Sequence, residues 1–273
     1  MTTPVLTEKR GVPDAPETIG DELYRQRMNF ANLLAALDPT DWEAPSRCSE
    51  WSVADVAGHV LNGAEFHVAR LTGSANLARF TRYGAFQPAV TPQAWLRDSP
   101  RRTPDATINE LRELAVSERE LFRARLEAPD GEPERGPTGR PLHWSTRSLH
   151  SLWDSWIHER DVALALGQPA PSAARSFPLA TMYGFLIVGS VAARRGTPLH
   201  VTLDLSDIAA TPYEIGITAD DVYVAAGSRT VPQVFGSAAE MLDSAAGRSP
   251  GLRTLQAPDF LLTALRHFRV ALT

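Results

Sequence analysis

Trp51-Ser52-Val53-Ala54-Asp55-Val56-Ala57-Gly58-His59-Val60 is the stretch on which the reading of the first half of the chain turns. Ser52 and Asp55 have the spacing of a capping box, and Trp51 before the cap is placed to pack on Val56 as a hydrophobic staple. Val53, Val56, Val60, Ala64, Val68 and Leu71 then recur on one helical face until Thr72-Gly73. A helix that carries a single apolar stripe must bury it against others, so this segment implies neighbours.

Three neighbours are legible. Upstream, Thr18-Ile19-Gly20-Asp21 has the spacing of another capping box, and Leu23, Arg27, Phe30, Leu34 and Leu37 follow at helical intervals until Asp38-Pro39 stops the run. Downstream, residues 105–128 place Ile108, Leu111, Ala115 and Phe122 inward beneath a dense charged face, and the segment from Pro129 to Pro141 breaks them off. Residues 145–166 form the fourth helix, ended by Gly167, the residue type suited to a left-handed cap. Four amphipathic helices in the first 167 residues imply a four-helix bundle. Residues 73–104 lose periodicity and collect Arg79, Arg82, Arg97, Arg101 and Arg102, which reads as a long loop of the kind that serves as a lid or binding surface.

After Pro169-Ala170-Pro171 the pattern changes. An apolar helix over residues 177–194 precedes alternating segments at 199–205, 213–218 and 221–226, and helices at 237–246 and 258–270 follow. The expected organisation is a flexible N-terminus over residues 1–17, a four-helix bundle over 18–170, and a smaller C-terminal α+β domain over 171–273 with a short antiparallel sheet.

Bulk properties narrow the function. At 273 residues with 43% hydrophobic side chains, the chain can bury two cores. A net charge of -5, from 27 basic and 32 acidic residues, offers no field that would hold nucleic acid. The single Cys48 cannot form an intramolecular disulfide, so no oxidising compartment is implied. The first 17 residues lack a signal-peptide core, and no run was expected to approach the roughly 18 apolar residues of a membrane span. The cytoplasm is therefore the expected compartment, and a monomer or homodimer the expected state.

On the fourth helix, Asp154 and His158 are four residues apart and Asp161 is three further on, which puts all three on one face. A carboxylate and an imidazole at this spacing suit one metal ion, and His59 on the second helix is the natural third ligand in an antiparallel bundle. Two His and one carboxylate leave an open coordination position, as in catalytic zinc and some non-haem iron sites. Asp161 is suited to accept the second imidazole proton of a ligating His. His67 and His150 compete for a ligand role on the same argument, and a solvated polar stripe on the fourth helix would carry the same residues. Cys48, before a helix N-terminus, reads more readily as a small buried hydrophobe than as a nucleophile. Residues 136–140 lack the Lys-Ser/Thr of a phosphate loop, and no Gly-x-Ser-x-Gly elbow supports serine hydrolase chemistry.

Two blocks carry a family resemblance. Leu37-Asp38-Pro39-Thr40-Asp41-Trp42 followed by Pro45-Ser46-Arg47-Cys48-Ser49-Glu50-Trp51-Ser52-Val53-Ala54-Asp55-Val56-Ala57-Gly58-His59 resembles the start of the mycothiol-dependent maleylpyruvate isomerase family, within the DinB-like metalloprotein superfamily. Trp153-Asp154-Ser155-Trp156-Ile157-His158-Glu159-Arg160-Asp161 is similar to that family's carboxylate-x-x-x-His-x-x-Asp helix. The resemblance implies a DinB-like bundle, a divalent metal, usually zinc, on His59, Asp154 and His158, and mycothiol as the thiol cosubstrate. Asp154 stands where the family most often has Glu, one methylene longer. The implied chemistry is addition of a metal-held thiolate to a small electrophilic substrate, giving isomerisation or S-transfer, with Asp161 and Arg82 as catalytic residues and Arg79 and Arg82 placed to meet substrate carboxylates. The alternatives are a metal-dependent hydrolase or Fe(II) enzyme without thiol, and a non-catalytic binding protein of the same fold that has lost its metal.

Overall fold

A computed structural model describes residues 5–11, 16–84, 86–87, 90–128, 133–171, 176–209 and 212–248. In chain order the elements are β1 (Val5–Thr7), α1 (Pro16–Ala35), a 3-10 turn (Asp41–Glu43), α2 (Val53–Thr72), α3 (Leu77–Thr81), α4 (Thr91–Asp98), α5 (Pro104–Leu126), β2 (Glu134–Arg135), β3 (Pro141–Leu142), α6 (Trp144–Ala165), α7 (Ser176–Arg194), β4 (His200–Leu205), β5 (Tyr213–Ile217), β6 (Val222–Ala226), β7 (Val234–Gly236) and α8 (Ala238–Ala245). The fold is mostly helical, with a small sheet built mainly from the C-terminal part. Contacts divide it into two units, one of Glu17–Pro129 and Asp154–Ser176, the other of Met1–Pro16, Asp130–Trp153 and Phe177–Thr273. The expected boundary near residue 170 differs from this division, because α6 gives its first ten residues to one unit and the remainder to the other.

In the helical unit, α1, α2, α5 and the second half of α6 share one apolar core that includes Phe30, Leu34, Val56, Val60, Leu111 and Val162. The α2 capping box forms: the Asp55 amide donates to the Ser52 hydroxyl and the Ser52 amide to the Asp55 carboxylate. Gly73 caps the other end in the left-handed region, at φ 61°. The segment expected as one long loop contains α3 and α4, because Phe80 and Trp95 bury themselves on each other and on Phe66 of α2. Phe80 and Trp95 lie too far apart in sequence to set a period, yet with Phe66 they supply enough apolar area to seat two short helices.

In the other unit the five-stranded sheet runs in the order β1-β6-β5-β4-β7, antiparallel except for the parallel β4–β7 pair. The three alternating segments of the sequence are β4, β5 and β6. β1 and β7 are additions, so residues 5–7, expected to be flexible, are instead an edge strand paired with β6. Glu8, just beyond β1, is buried and accepts hydrogen bonds from Arg140 at 2.8 and 3.0 Å and from Ser190 of α7, which ties the N-terminal strand to its own unit. Helix α7 is, contrary to expectation, long and apolar enough to cross a membrane, but it is a core helix with 78% of its most apolar window buried. It lies close on the sheet at Gly189, where a Cβ would stand 2.4 Å from Val222 Cγ1. The helix expected at 258–270 lies outside the described residues.

Several polar groups are sealed inside the helical unit. The Arg27 guanidinium on α1 donates to both oxygens of Glu118 on α5 at 3.2 and 3.4 Å, and His67 of α2 meets the same carboxylate at 2.9 Å, all three being essentially unexposed. Burial pushes the Glu118 carboxyl up, but Arg27 and His67 outweigh it and hold it below its ordinary value. Glu159 on α6 has weaker company: Gln26 Nε2 donates to it at 2.6 Å, and burial pushes its carboxyl up to about 7.

Two outcomes follow for stability. Glu118→Ala strands a buried guanidinium and should lower unfolding free energy by about 3–5 kcal/mol in urea titration; a loss under 1 kcal/mol would show that the triad is not sealed. Because the folded Glu159 carboxyl lies above its unfolded value near 4.5, its contribution is complete below that value and is lost as pH rises through about 7. Glu159→Gln should therefore match the parent near pH 4.5 and exceed it at pH 8, by an amount on the order of 3 kcal/mol. Parallel stability curves for the two proteins would contradict the assignment.

Candidate metal centre

The centre begins with helix geometry. His59 sits in the second turn of α2, and Asp154 and His158 are one turn apart on α6. His59 Nε2 lies 3.2 Å from Asp154 Oδ1, and His158 Nε2 lies 3.5 Å from the same oxygen. The donors of a four-coordinate zinc, each about 2.0–2.1 Å from the ion, stand roughly 3.3 Å apart, so these separations bracket the edge of such a tetrahedron. The shorter Asp side chain thus brings an oxygen to both imidazoles. Opposite it, α2 carries Gly63, whose absent Cβ would lie 3.5 Å from Asp154 Oδ2.

Behind this set stands a second layer. Asp161, wholly buried, has Oδ2 3.0 Å from His158 Nδ1 and 3.1 Å from Cys48 Sγ. An imidazole that donates Nδ1–H to Asp161 presents the lone pair of Nε2 toward Asp154 and His59. His59 Nδ1, by contrast, is buried with no hydrogen-bond partner among the described residues. The Trp51 ring covers the cluster, with its centroid 5.0 Å from that of His59 and 6.2 Å from that of His158.

The electrostatics are those of a place built for positive charge. Burial pushes His158 down, but electrostatic attraction to Cys48 and Asp154 and hydrogen bonds with Asp154 and Asp161 raise it well above the ordinary imidazole value. Burial likewise raises Asp154, and the two imidazoles overcome this and hold its carboxyl well below the usual range. His59 is lowered, by burial first. A proton on His158 therefore occupies the position that a cation on Nε2 would displace, and ligation would be coupled to proton release. The donor set fits a borderline divalent ion such as zinc, with one coordination position left for an exogenous ligand.

The other sequence candidates lie elsewhere. His67 is committed to Glu118, and His150 belongs to the other unit, where its Nδ1 lies 3.0 Å from the Tyr183 hydroxyl. Arg82 is exposed and donates to Asp98 Oδ2 and to the Tyr83 hydroxyl, both at 2.7 Å. Arg79 donates to Glu65 at 2.9 Å, Asn62 at 3.1 Å and Ser99 at 2.7 Å. Both arginines already hold protein partners, so a substrate carboxylate would have to exchange for Asp98 or Glu65. Cys48, expected as a small buried hydrophobe, instead borders the centre, with Sγ 3.6 Å from His158 Nδ1 and 3.1 Å from Asp161 Oδ2.

Comparison with known proteins gives the family and the fold. An uncharacterized protein of Mycobacterium tuberculosis, from strains CDC 1551 / Oshkosh and ATCC 25618 / H37Rv, is 26% identical over 143 residues, which are 52% of this chain. The match spans about half of the length of each relative, 54%. The fold is similar to a crystal structure of mycothiol-dependent maleylpyruvate isomerase, with a TM-score of 0.57 and 17% identity over 89% of this chain and 95% of that one. A His-to-Ala variant of that isomerase gives a TM-score of 0.55 and 15% identity over 86% and 90%. Residues 23–163, more than half of the chain, match the family described as the mycothiol maleylpyruvate isomerase N-terminal domain, and the chain belongs to that family.

Proposed function

We propose that α1, α2, α5 and α6 form a DinB-like four-helix bundle in which His59, Asp154 and His158 hold a divalent ion, zinc by preference, and that the protein is a mycothiol-dependent isomerase or S-transferase of the cytoplasm. The observation that carries this reading is the convergence of two Nε2 atoms on one carboxylate oxygen at 3.2 and 3.5 Å. When bound, the ion keeps an incoming low-molecular-weight thiol ionised as thiolate at neutral pH.

The chain's own residues supply the rest. Asp161 keeps the proton of His158 on Nδ1, which fixes the ring and leaves Nε2 free to ligate. Asp154 contributes one negative charge beside two neutral imidazoles, so a divalent ion there retains net positive charge with which to stabilise an anionic sulfur. Trp51 lays an apolar ring against both imidazoles and limits water at the reacting sulfur. A thiolate that adds to an electrophilic carbon, allows rotation about the former double bond and is expelled gives cis/trans isomerisation. An adduct that persists gives S-transfer. Arg82 serves a substrate carboxylate in this scheme by exchanging its Asp98 partner.

Elemental mass spectrometry on tag-free protein should find zinc in the parent, and His59→Ala and His158→Ala should each lose at least one equivalent of it. With mycothiol present, the parent should isomerise maleylpyruvate or form a thioether with a related unsaturated acid, and Asp161→Asn should lose about 10–100-fold in metal affinity or turnover. A parent protein that takes up no zinc, or turnover that is equal without thiol, would overturn the proposal.

A further inference from the structure

His158 belongs to two clusters. Its Nε2 faces His59 and Asp154, while its Nδ1 faces Cys48 and Asp161, and each cluster brings one ligand atom per residue within 4.8 Å of the others. The second cluster is entirely buried. Its Sγ–Nδ1 distance is 3.6 Å, its Sγ–Oδ2 distance 3.1 Å and its Nδ1–Oδ2 distance 3.0 Å. For an ion with a bond to sulfur of about 2.3 Å and to nitrogen of about 2.05 Å, tetrahedral geometry sets the sulfur–nitrogen edge at roughly 3.6 Å. The two edges that involve oxygen need to open by a few tenths of an ångström.

The loop that carries the thiol is fixed in place. The Cys48 amide donates to Ser46 Oγ at 3.1 Å, the Trp51 amide to the Cys48 carbonyl at 3.2 Å, and the Arg47 amide to the Asp161 carbonyl at 3.3 Å. Glu50, at φ 68°, is the one non-glycine residue with positive φ among those described, so the turn that aims Cys48 inward is held against a local cost.

We infer that Cys48, Asp161 and His158 Nδ1 form a second cation site, selective for a thiophilic divalent ion, which shares His158 with the first site as a bridging imidazolate. Binding releases two protons, one from Sγ and one from Nδ1, where the ion replaces the proton that Asp161 holds when this second site is empty, and forms bonds from the ion to sulfur, nitrogen and a carboxylate oxygen. Two divalent ions are then neutralised by Asp154, Asp161, the Cys48 thiolate and the His158 imidazolate. The inference deepens the proposed function and rests on its placement of a ligand role on His158, yet the two are separable because His59 belongs only to the first site and Cys48 only to the second.

The test is titration of the full chain with Cd²⁺, followed by bound-metal stoichiometry and by the ultraviolet thiolate-to-cadmium charge-transfer band, which in this protein reports a single sulfur. The parent should bind two equivalents, one of them with the band. Cys48→Ala and Cys48→Ser, each checked for parental circular dichroism, should bind one equivalent without the band; His59→Ala should bind one with it. A parent that binds a single, band-free equivalent lost in His59→Ala overturns the second site and leaves the proposed function standing. A band-bearing equivalent without any His59-dependent one establishes the second site and overturns the proposed function.

Discussion

Asp154 is a carboxylate largely withdrawn from water between two imidazoles, and the rest of the helical unit follows from what that arrangement demands. A buried anion is tolerated only with compensating positive charge. Here compensation comes from a proton on His158, which a cation shared by His59 and His158 would displace from Nε2. The opposed shifts of the imidazoles, His59 lowered and His158 raised, express the same constraint. Metal affinity in such a centre is set by competition with a proton, which ties occupancy to pH.

The surrounding fold keeps these atoms where they are. The capping box fixes the start of α2 six residues before His59, and the apolar core that contains Val56 and Val60 sets the rotation of that helix. Asp161 and Cys48 orient His158 from behind, while Trp51 closes the face toward His59. Elsewhere in the unit, the Arg27–Glu118–His67 triad is a buried ionic cluster whose charges are paired, and it removes His67 from any role as a ligand. Charge placement rather than residue type separates the two histidines of α2.

Helices with an apolar stripe and marked ends were legible in the sequence: α2 and its caps, α5, α6, α7 and the three alternating strands β4 to β6. What escaped were elements held by tertiary contact. α3 and α4 depend on Phe66, Phe80 and Trp95 finding one another, and β1 has only three residues, whose pairing partner lies more than 200 positions away. The membrane-length apolar helix α7 was read correctly as a helix, and its burial shows why composition alone cannot separate a core helix from a span. At the centre, i, i+4 spacing sufficed to pair Asp154 with His158, and antiparallel packing suggested His59. Nothing in spacing alone placed Cys48 beside Asp161, because that contact joins a loop to a helix 113 residues later.

The central claim is that two imidazoles and the Asp154 carboxylate share one divalent ion. Zinc K-edge X-ray absorption on the Cys48→Ser protein, which keeps His59, Asp154 and His158, loaded with one equivalent tests it most directly. The account predicts a first shell of nitrogen and oxygen only, with the outer-shell pattern of two imidazoles, and the appearance of one sulfur scatterer when a low-molecular-weight thiol is added. A spectrum with a single imidazole, or one unchanged in the His59→Ala protein, would contradict it.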